Sequence, residues 1–313
     1  MDLFEGLRYE APFRFFCFLF FMRTVYKVSA GSFLLQIFQK FVAPGWRASL
    51  SAAIFDNLLC LIGPRKKVAL ENMKNTVFPD SEEWRQKTLA GVYRHIAWML
   101  AEYLVLVKDP SSVLDWVVEV EGEHILEQLV QEKKGAIILT GHLGNWELLA
   151  AWLCQKGYPL YAVVRDPDDK DVAKLIESYR CRVGLRTLKK KSIMKESVRL
   201  AQNGAFLGLL SDQDGGHTGL PSLFLGKECS TVNGPAAISL MAHVPIVPVI
   251  SYRIAPFRHQ IIISSPLTFS GVGKKKEQLE GMTRSVDMTL EKMVIRHPEQ
   301  WLWLHRRWRS RFP

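Results

Sequence analysis

The sequence lacks an uninterrupted membrane span. A transmembrane helix needs about 20 consecutive apolar residues. The longest run free of Asp, Glu, Lys and Arg, 229–252, is cut by Asn233, Gly234, Pro235, Pro245 and Pro248. It reads as a turn, a buried helix and a buried strand. Near the N-terminus, Arg14, Arg23 and Lys27 break the apolar stretches before any is long enough. No A-x-A-like site closes the apolar octet 15–22, so a cleavable signal peptide fits poorly. Cysteine is scarce, with five residues and no C-x-x-C spacing. That argues against a disulfide framework or a zinc ribbon and favours a reducing compartment. A serine or cysteine in a G-x-S-x-G elbow is also missing, which favours direct attack by a substrate hydroxyl over a covalent acyl-enzyme. There is no internal repeat and no low-complexity segment.

What is present is a globular chain of 313 residues, 48% hydrophobic and 23% charged, long enough for one large or two ordinary domains. Its 41 Lys and Arg against 31 Asp and Glu leave a net charge of +10. That favours an anionic partner: phosphate, an acidic protein, nucleic acid or an anionic membrane face. The octet FFCFLFFM at 15–22 and the uncharged stretch 28–39, with cations between them, fit a helix lying in the headgroup region. The competing reading is an ordinary core helix. Residues 1 to about 107 read as helical, with periodic apolar positions in 34–41, 50–62 and 89–107. Ser81 followed by Glu82 and Glu83 marks the start of the last of these helices. From Val117 the pattern changes to short apolar runs, at 117–120, 136–140, 160–164, 205–210, 244–250 and 261–264, alternating with amphipathic stretches. This predicts an α/β sheet with flanking helices. The expected organisation is a membrane-associating helical segment over 1–45 and an α/β catalytic domain over 46–313 with a helical cap (46–110). A charged helix at about 274–296 and an aromatic, basic tail complete it.

The run 136–140 is followed by Gly141-His142-Leu143-Gly144-Asn145-Trp146-Glu147. Ligands of open α/β sheets sit beyond the carboxyl ends of strands. Glycines 141 and 144 allow a tight turn and close approach to a substrate, and Asn145 suits an N-cap. On one continuous helix His142 and Glu147 would lie about 140° apart. They meet only if His142 sits in the loop and folds back over the turn carrying Glu147. That arrangement makes a histidine base with a carboxylate behind it. The alternative is a helix cap with a dipole partner. Asp212 and Asp214 follow the run 205–210; two acids so spaced lack a full metal-ligand set.

Six blocks together resemble the late acyltransferases of lipid A biosynthesis, the lauroyl and myristoyl transferases acting on Kdo-lipid A. The superfamily also contains the phosphatidylinositol mannoside acyltransferases. The blocks are Asn72 with Phe78-Pro79 and Glu102; GHLGNWE at 141–147; and Arg165 with Tyr179-Arg180-x-Arg182-x-Gly184. Next come Ser211-Asp212-Gln213-Asp214-Gly215 and Phe224-x-Gly226 with Thr231-x-x-Gly234-Pro235-Ala236. The last is Pro298-x-x-Trp301-x-Trp303-x-His305-Arg306-Arg307-Trp308. The resemblance implies a glycerolipid-acyltransferase-like sheet, no cofactor or metal, an acyl-acyl carrier protein donor and a lipid A precursor as acceptor. It also implies an N-terminal membrane helix, which Arg23 and Lys27 interrupt here.

On this reading His142 is the base and Glu147 its orienting partner. Arg180, or failing it Arg165, joins backbone N–H groups of the glycine turn as an oxyanion donor; a surface ion pair is the plainer role for either arginine. Asp212 positions His142, an arginine or the substrate, and Asp214 has a turn role. Substrate contacts are assigned to Arg165, Gly144, Asn145, Arg182 and Gln213. Arg14 and Arg23, with Trp301, Trp303, Arg306, Arg307 and Trp308 of the tail, suit lipid headgroups. Such interleaving also suits single-stranded nucleic acid, but no nucleic-acid motif accompanies it. The expected place is the cytosolic face of a bacterial inner membrane. Three alternatives remain: acyl-CoA-dependent transfer to another glycolipid or a phospholipid, a lipid-binding protein without catalysis, and thioester hydrolysis.

Overall fold

A computed structural model describes residues 41–163, 170–188, 193–267 and 273–310. The expected membrane-associating segment, with Arg14 and Arg23, lies almost wholly outside these residues, as does Arg165. Among the described residues no helix is long and apolar enough to cross a membrane.

Three helices open the structure: α1 (Trp46–Ile62), α2 (Lys66–Met73) and α3 (Glu82–Leu106). Ser81 caps α3 as its sequence predicts. Its hydroxyl accepts from the Trp84 N–H at 3.1 Å, and Glu82 and Glu83 stand in the first turn, where carboxylates oppose the helix dipole. The short α4 (Val113–Trp116) leads into alternating elements: β1 (Val117–Glu121), α5 (Glu123–Gln131), β2 (Ala136–Thr140), α6 (Trp146–Gln155) and β3 (Leu160–Val163). Then come α7 (Lys170–Val183), β4 (Arg186–Leu188), α8 (Ile193–Gln202) and β5 (Phe206–Leu210). The ribbon β6 (Leu220–Phe224) and β7 (Lys227–Thr231) precedes α9 (Gly234–Ala242), β8 (Ile246–Ala255), β9 (Arg258–Ile263) and α10 (Lys275–Arg296).

Seven strands form one mixed sheet in the order β1-β9-β8-β2-β5-β3-β4. From β8 to β4 all neighbours are parallel, whereas β9 runs antiparallel to β8 and β1 parallel to β9. The central strand β2, Ala-Ile-Ile-Leu-Thr, is buried along its whole length, as a parallel strand covered on both faces must be. The ribbon β6–β7 is an addition to the expected pattern. Leu225 and Gly226 both take positive φ, 52° and 79°, the turn geometry that matches hairpin twist. The hydrophobic core runs without a break from Val42 to Trp308.

One register decides where the chemistry sits. Thr140, last in β2, pairs with Leu210, last in β5, and the Ser211 N–H donates to the Thr140 carbonyl at 3.1 Å. The loops that begin at Gly141 and Ser211 therefore leave the sheet side by side.

Candidate active site

His142 stands in the loop after β2 with its side chain 20% exposed, and Asp212 is buried beside it at 3%. Asp212 Oδ1 lies 2.8 Å from His142 Nδ1, and Oδ2 accepts the His142 backbone N–H at 2.7 Å. Oδ2 also accepts the Trp301 indole N–H at 2.8 Å. An ionised carboxylate only accepts, so Nδ1 carries the proton and Nε2 is left as the basic nitrogen. Burial opposes the Asp212 charge, yet the imidazole and these donors hold its carboxyl down to about 2. The Gln213 amide nitrogen lies 3.2 Å from Nε2, and the Trp146 ring meets the imidazole edge-on at 5.0 Å.

The carboxylate behind the imidazole is thus Asp212, which corrects the expectation for Glu147. Among the described residues no hydrogen bond joins Glu147 to His142. Glu147 lies buried in the first turn of α6, where burial raises its carboxyl while the charges of Arg180 and His142 pull it down. It stays within electrostatic reach of the imidazole without aiming it. Strand order explains the exchange, because β5 delivers a carboxylate sideways to Nδ1.

Arg180, on the last turn of α7, shares the Glu147 environment with Tyr103. Its Nε is buried with no hydrogen-bond partner among the described residues. It remains the candidate oxyanion donor. Three N–H groups of the glycine turn are already in use within the fold. Those at His142, Gly144 and Asn145 are committed to Asp212, the Gln300 carbonyl and the Ser251 carbonyl.

Three expected substrate contacts prove to be framework. Arg182 donates to the Val107 carbonyl at 2.7 Å, tying α7 to the end of α3. Asn145 caps α6, its Oδ1 accepting from Leu148 N–H at 3.0 Å, and its amide donates to Glu102 at 2.8 Å. Gly144, at φ +60°, makes room for β8: a Cβ there would sit 1.6 Å from the Ser251 carbonyl oxygen. Gly144→Ala must shift the loop or the strand and adopt a left-handed backbone. The variant is expected to lose roughly 3 kcal/mol or more of stability, read as a clear drop in melting temperature together with lost activity. A melting temperature equal to the parent's would show that the loop has slack. Among the described residues of this group, Gln213 alone faces the imidazole.

The tail is the largest correction. Trp301, Trp303, Trp308 and Arg307 are buried, and among the described tail residues only Arg306 and Arg309 are exposed, so four of the five named tail residues cannot meet headgroups. The rings pack on one another and on Phe78, Trp84 and Phe224. Arg307 donates to the Gln213 carbonyl at 3.0 Å, to the Ser230 carbonyl, to Thr231 Oγ1 at 2.6 Å and to Asp287 at 3.2 Å. Leu302 N–H donates to the His142 carbonyl at 2.9 Å. The box thus clamps both halves of the site. Asn72 secures it from behind through the Trp303 and His305 carbonyls. Asp214 has a turn role, bridged to Thr231 and accepting from Ser310.

Sequence reasoning missed a charged cluster under the loop. Glu102, fully buried on α3, accepts from Arg253 Nε and Nη2 at 2.9 and 2.6 Å, and lies 3.0 Å from His259 Nε2. Arg253 also bonds His95 Nδ1, and His95 Nε2 lies 3.0 Å from the Gly144 carbonyl. A lone carboxylate within the apolar stretch 97–107 was the available signal. No group of three His, Cys, Asp or Glu among the described residues is placed to hold a metal ion.

A histidine backed by a buried carboxylate at the carboxyl edge of a parallel sheet marks the candidate site of an α/β enzyme. Its family follows from comparison: the sequence model of the bacterial lipid A biosynthesis acyltransferases matches residues 23–310, and the chain belongs to that family. It is 24% identical over 254 residues to a lipid A biosynthesis palmitoleoyltransferase of Escherichia coli K12, covering 79% of each chain. To a lauroyltransferase of the same organism it is 25% identical over 253 residues, 79% of this chain and 80% of that one. A solved 1-acyl-sn-glycerophosphate acyltransferase from Thermotoga maritima gives a TM-score of 0.35 at 13% identity, covering 83% of this chain and 97% of that one. The protein is an O-acyltransferase of lipid A biosynthesis.

Proposed function

We propose that the protein moves a fatty acyl chain from an acyl-acyl carrier protein thioester to a hydroxyl of a lipid A precursor, with His142 as general base. The observation that carries this reading is the His142–Asp212 pair at the adjoining ends of β2 and β5. Nε2 takes the proton of the acceptor hydroxyl as its oxygen attacks the thioester carbonyl. The tetrahedral oxyanion is held by the Arg180 guanidinium, and Gln213 orients the groups around Nε2. The attack forms the ester C–O bond; collapse of the intermediate re-forms the carbonyl and breaks the C–S bond, and the imidazolium returns its proton to the leaving thiolate. Asp212 fixes the ring and balances the transient imidazolium charge. Arg165 remains a second candidate arginine. No step calls for a metal or cofactor.

The net charge of +10 suits an acidic carrier and a phosphorylated acceptor. The site belongs to an α/β domain over 46–313, of glycerolipid-acyltransferase-like design, held by the segment 1–45 at the cytosolic face of the inner membrane. Purified protein incubated with Kdo-lipid A is expected to add one acyl mass from an acyl-acyl carrier protein, and far less from acyl-CoA. Lipid A from cells with and without the chain should differ by the same mass. Transfer preferring acyl-CoA would overturn the donor assignment. No added mass in either assay would overturn the reaction.

A further inference from the structure

Helix α1 is apolar on two opposite sides, and the fold uses one of them. Ala48, Ser51, Ala52, Phe55 and Leu59 are buried on the side packed against α3. On the other side Trp46 is 67% exposed, Leu50 44%, Ile54 37% and Leu61 83%. At 100° per residue these four lie within about 80° of arc, and at 1.5 Å per residue they mark a stripe about 22 Å long. Exposed Asn57 is the polar residue within this arc; a helix with apolar residues on two opposite sides suits a place between two apolar media, and one medium here is the protein core.

Charge identifies the other. The sole acid of α1, Asp56, pairs with Arg94 at 3.3 Å. Arg47 stands at the start of the stripe over the Trp46 and Phe41 rings, 5.6 and 5.9 Å from their centroids. Exposed Lys66 and Lys67 follow its end. Tryptophan with a cation at one end and lysines at the other is the pattern of a helix lying in an anionic interface. The helix is also pinned to the catalytic framework. Tyr93 donates to the Pro64 carbonyl at 3.0 Å, and Arg65 reaches the Leu304 carbonyl at 3.3 Å in the box that clamps His142.

We propose that the exposed face of α1 is a bilayer-docking surface, its apolar stripe entering anionic lipid with Arg47, Lys66 and Lys67 at the headgroups. The proposal stands apart from the acyl-transfer reading, because lipid binding is measured without turnover. It moves the headgroup role from the buried tail to a helix whose sequence suggested only packing.

The test is flotation of the full chain with vesicles of phosphatidylethanolamine and phosphatidylglycerol. With lipid titrated so that binding stays below saturation, Leu50→Asp/Leu61→Asp is expected to cut the vesicle partition coefficient tenfold or more relative to the parent, the contribution of segment 1–45 being common to both chains, with melting temperature and molecular mass in solution unchanged. Lys66→Glu/Lys67→Glu is expected to weaken binding to these vesicles by about tenfold, and binding to phosphatidylcholine vesicles far less. Undiminished flotation of both variants would overturn the proposal. A fall in melting temperature with flotation retained would mean that the face is covered by this chain's own residues 1–40. A change in molecular mass with flotation retained would mean a second copy covers it. Either result also overturns the proposal.

Discussion

Asp212→Asn is expected to lower kcat by about 1,000- to 10,000-fold, with a normal melting curve and little change in KM. The cause is a tautomer rather than a lost charge alone. At the Oδ2 position two donors converge, the His142 backbone N–H at 2.7 Å and the Trp301 indole N–H at 2.8 Å. An asparagine there must give its oxygen to those donors. Its amide nitrogen then faces His142 Nδ1 at the Oδ1 position, 2.8 Å away. Nδ1 becomes an acceptor, the ring proton moves to Nε2, and the nitrogen meant to take the hydroxyl proton already holds one. Two controls make the assignment specific. His142→Ala should abolish transfer, and Glu147→Gln should leave the Nδ1–H tautomer in place, whatever it does to rate through Arg180. Nitrogen-15 spectra of the His142 ring check the tautomer, and steady-state assays check the rate. If the Nδ1–H form survives in Asp212→Asn, or vanishes in Glu147→Gln, the partner is Glu147 after all.

Which parts of this site could be read from the sequence follows from how far each contact reaches. The run 136–140, its glycine turn and His142 are local, and the structure places them as β2 and the loop beyond it. The cap at Ser81 and the cap at Asn145 are equally local, and both side chains accept where their positions imply. The pairing of His142 with Asp212 spans 70 residues and depends on β2 lying next to β5, an order that no periodicity encodes. The tail failed for a different reason. Tryptophan interleaved with arginine has the same composition whether the rings enter headgroups or pack around an internal guanidinium. What decides is the partner, Asp287, on α10 at 3.2 Å. Gly144 shows the same limit at a smaller scale: its missing side chain is needed by Ser251 of β8, not by a substrate.

The remaining large effect lies in the charged cluster beneath the loop. Glu102→Gln is expected to destabilise the fold by about 3–5 kcal/mol, because it leaves the buried Arg253 guanidinium without its counter-charge. Despite full burial the Glu102 carboxyl is held well below the usual carboxylate range, by Arg253 and His259. His95 goes the other way. Burial first, and then the Arg253 charge, keep it neutral well below the ordinary histidine value. Its Nδ1 accepts from Arg253, so its Nε2–H donates to the Gly144 carbonyl. One guanidinium therefore couples a carboxylate on α3 to the loop that carries His142. Arg253→Met should cost as much as Glu102→Gln, since it strands the carboxylate instead. The double variant Glu102→Met/Arg253→Met should lose less than the two singles summed, because removing both charges removes the uncompensated one. The sign with pH follows from the depressed Glu102 value. Its stabilisation is complete above the ordinary carboxylate range near pH 4.5 and declines as pH falls below it. Urea unfolding from pH 7 to pH 3 should show a steep acid limb in the parent and a flatter one in Glu102→Gln. Equal acid limbs, or single-variant losses under about 1 kcal/mol, would mean the loop is held by the clamp of residues 300–302 alone.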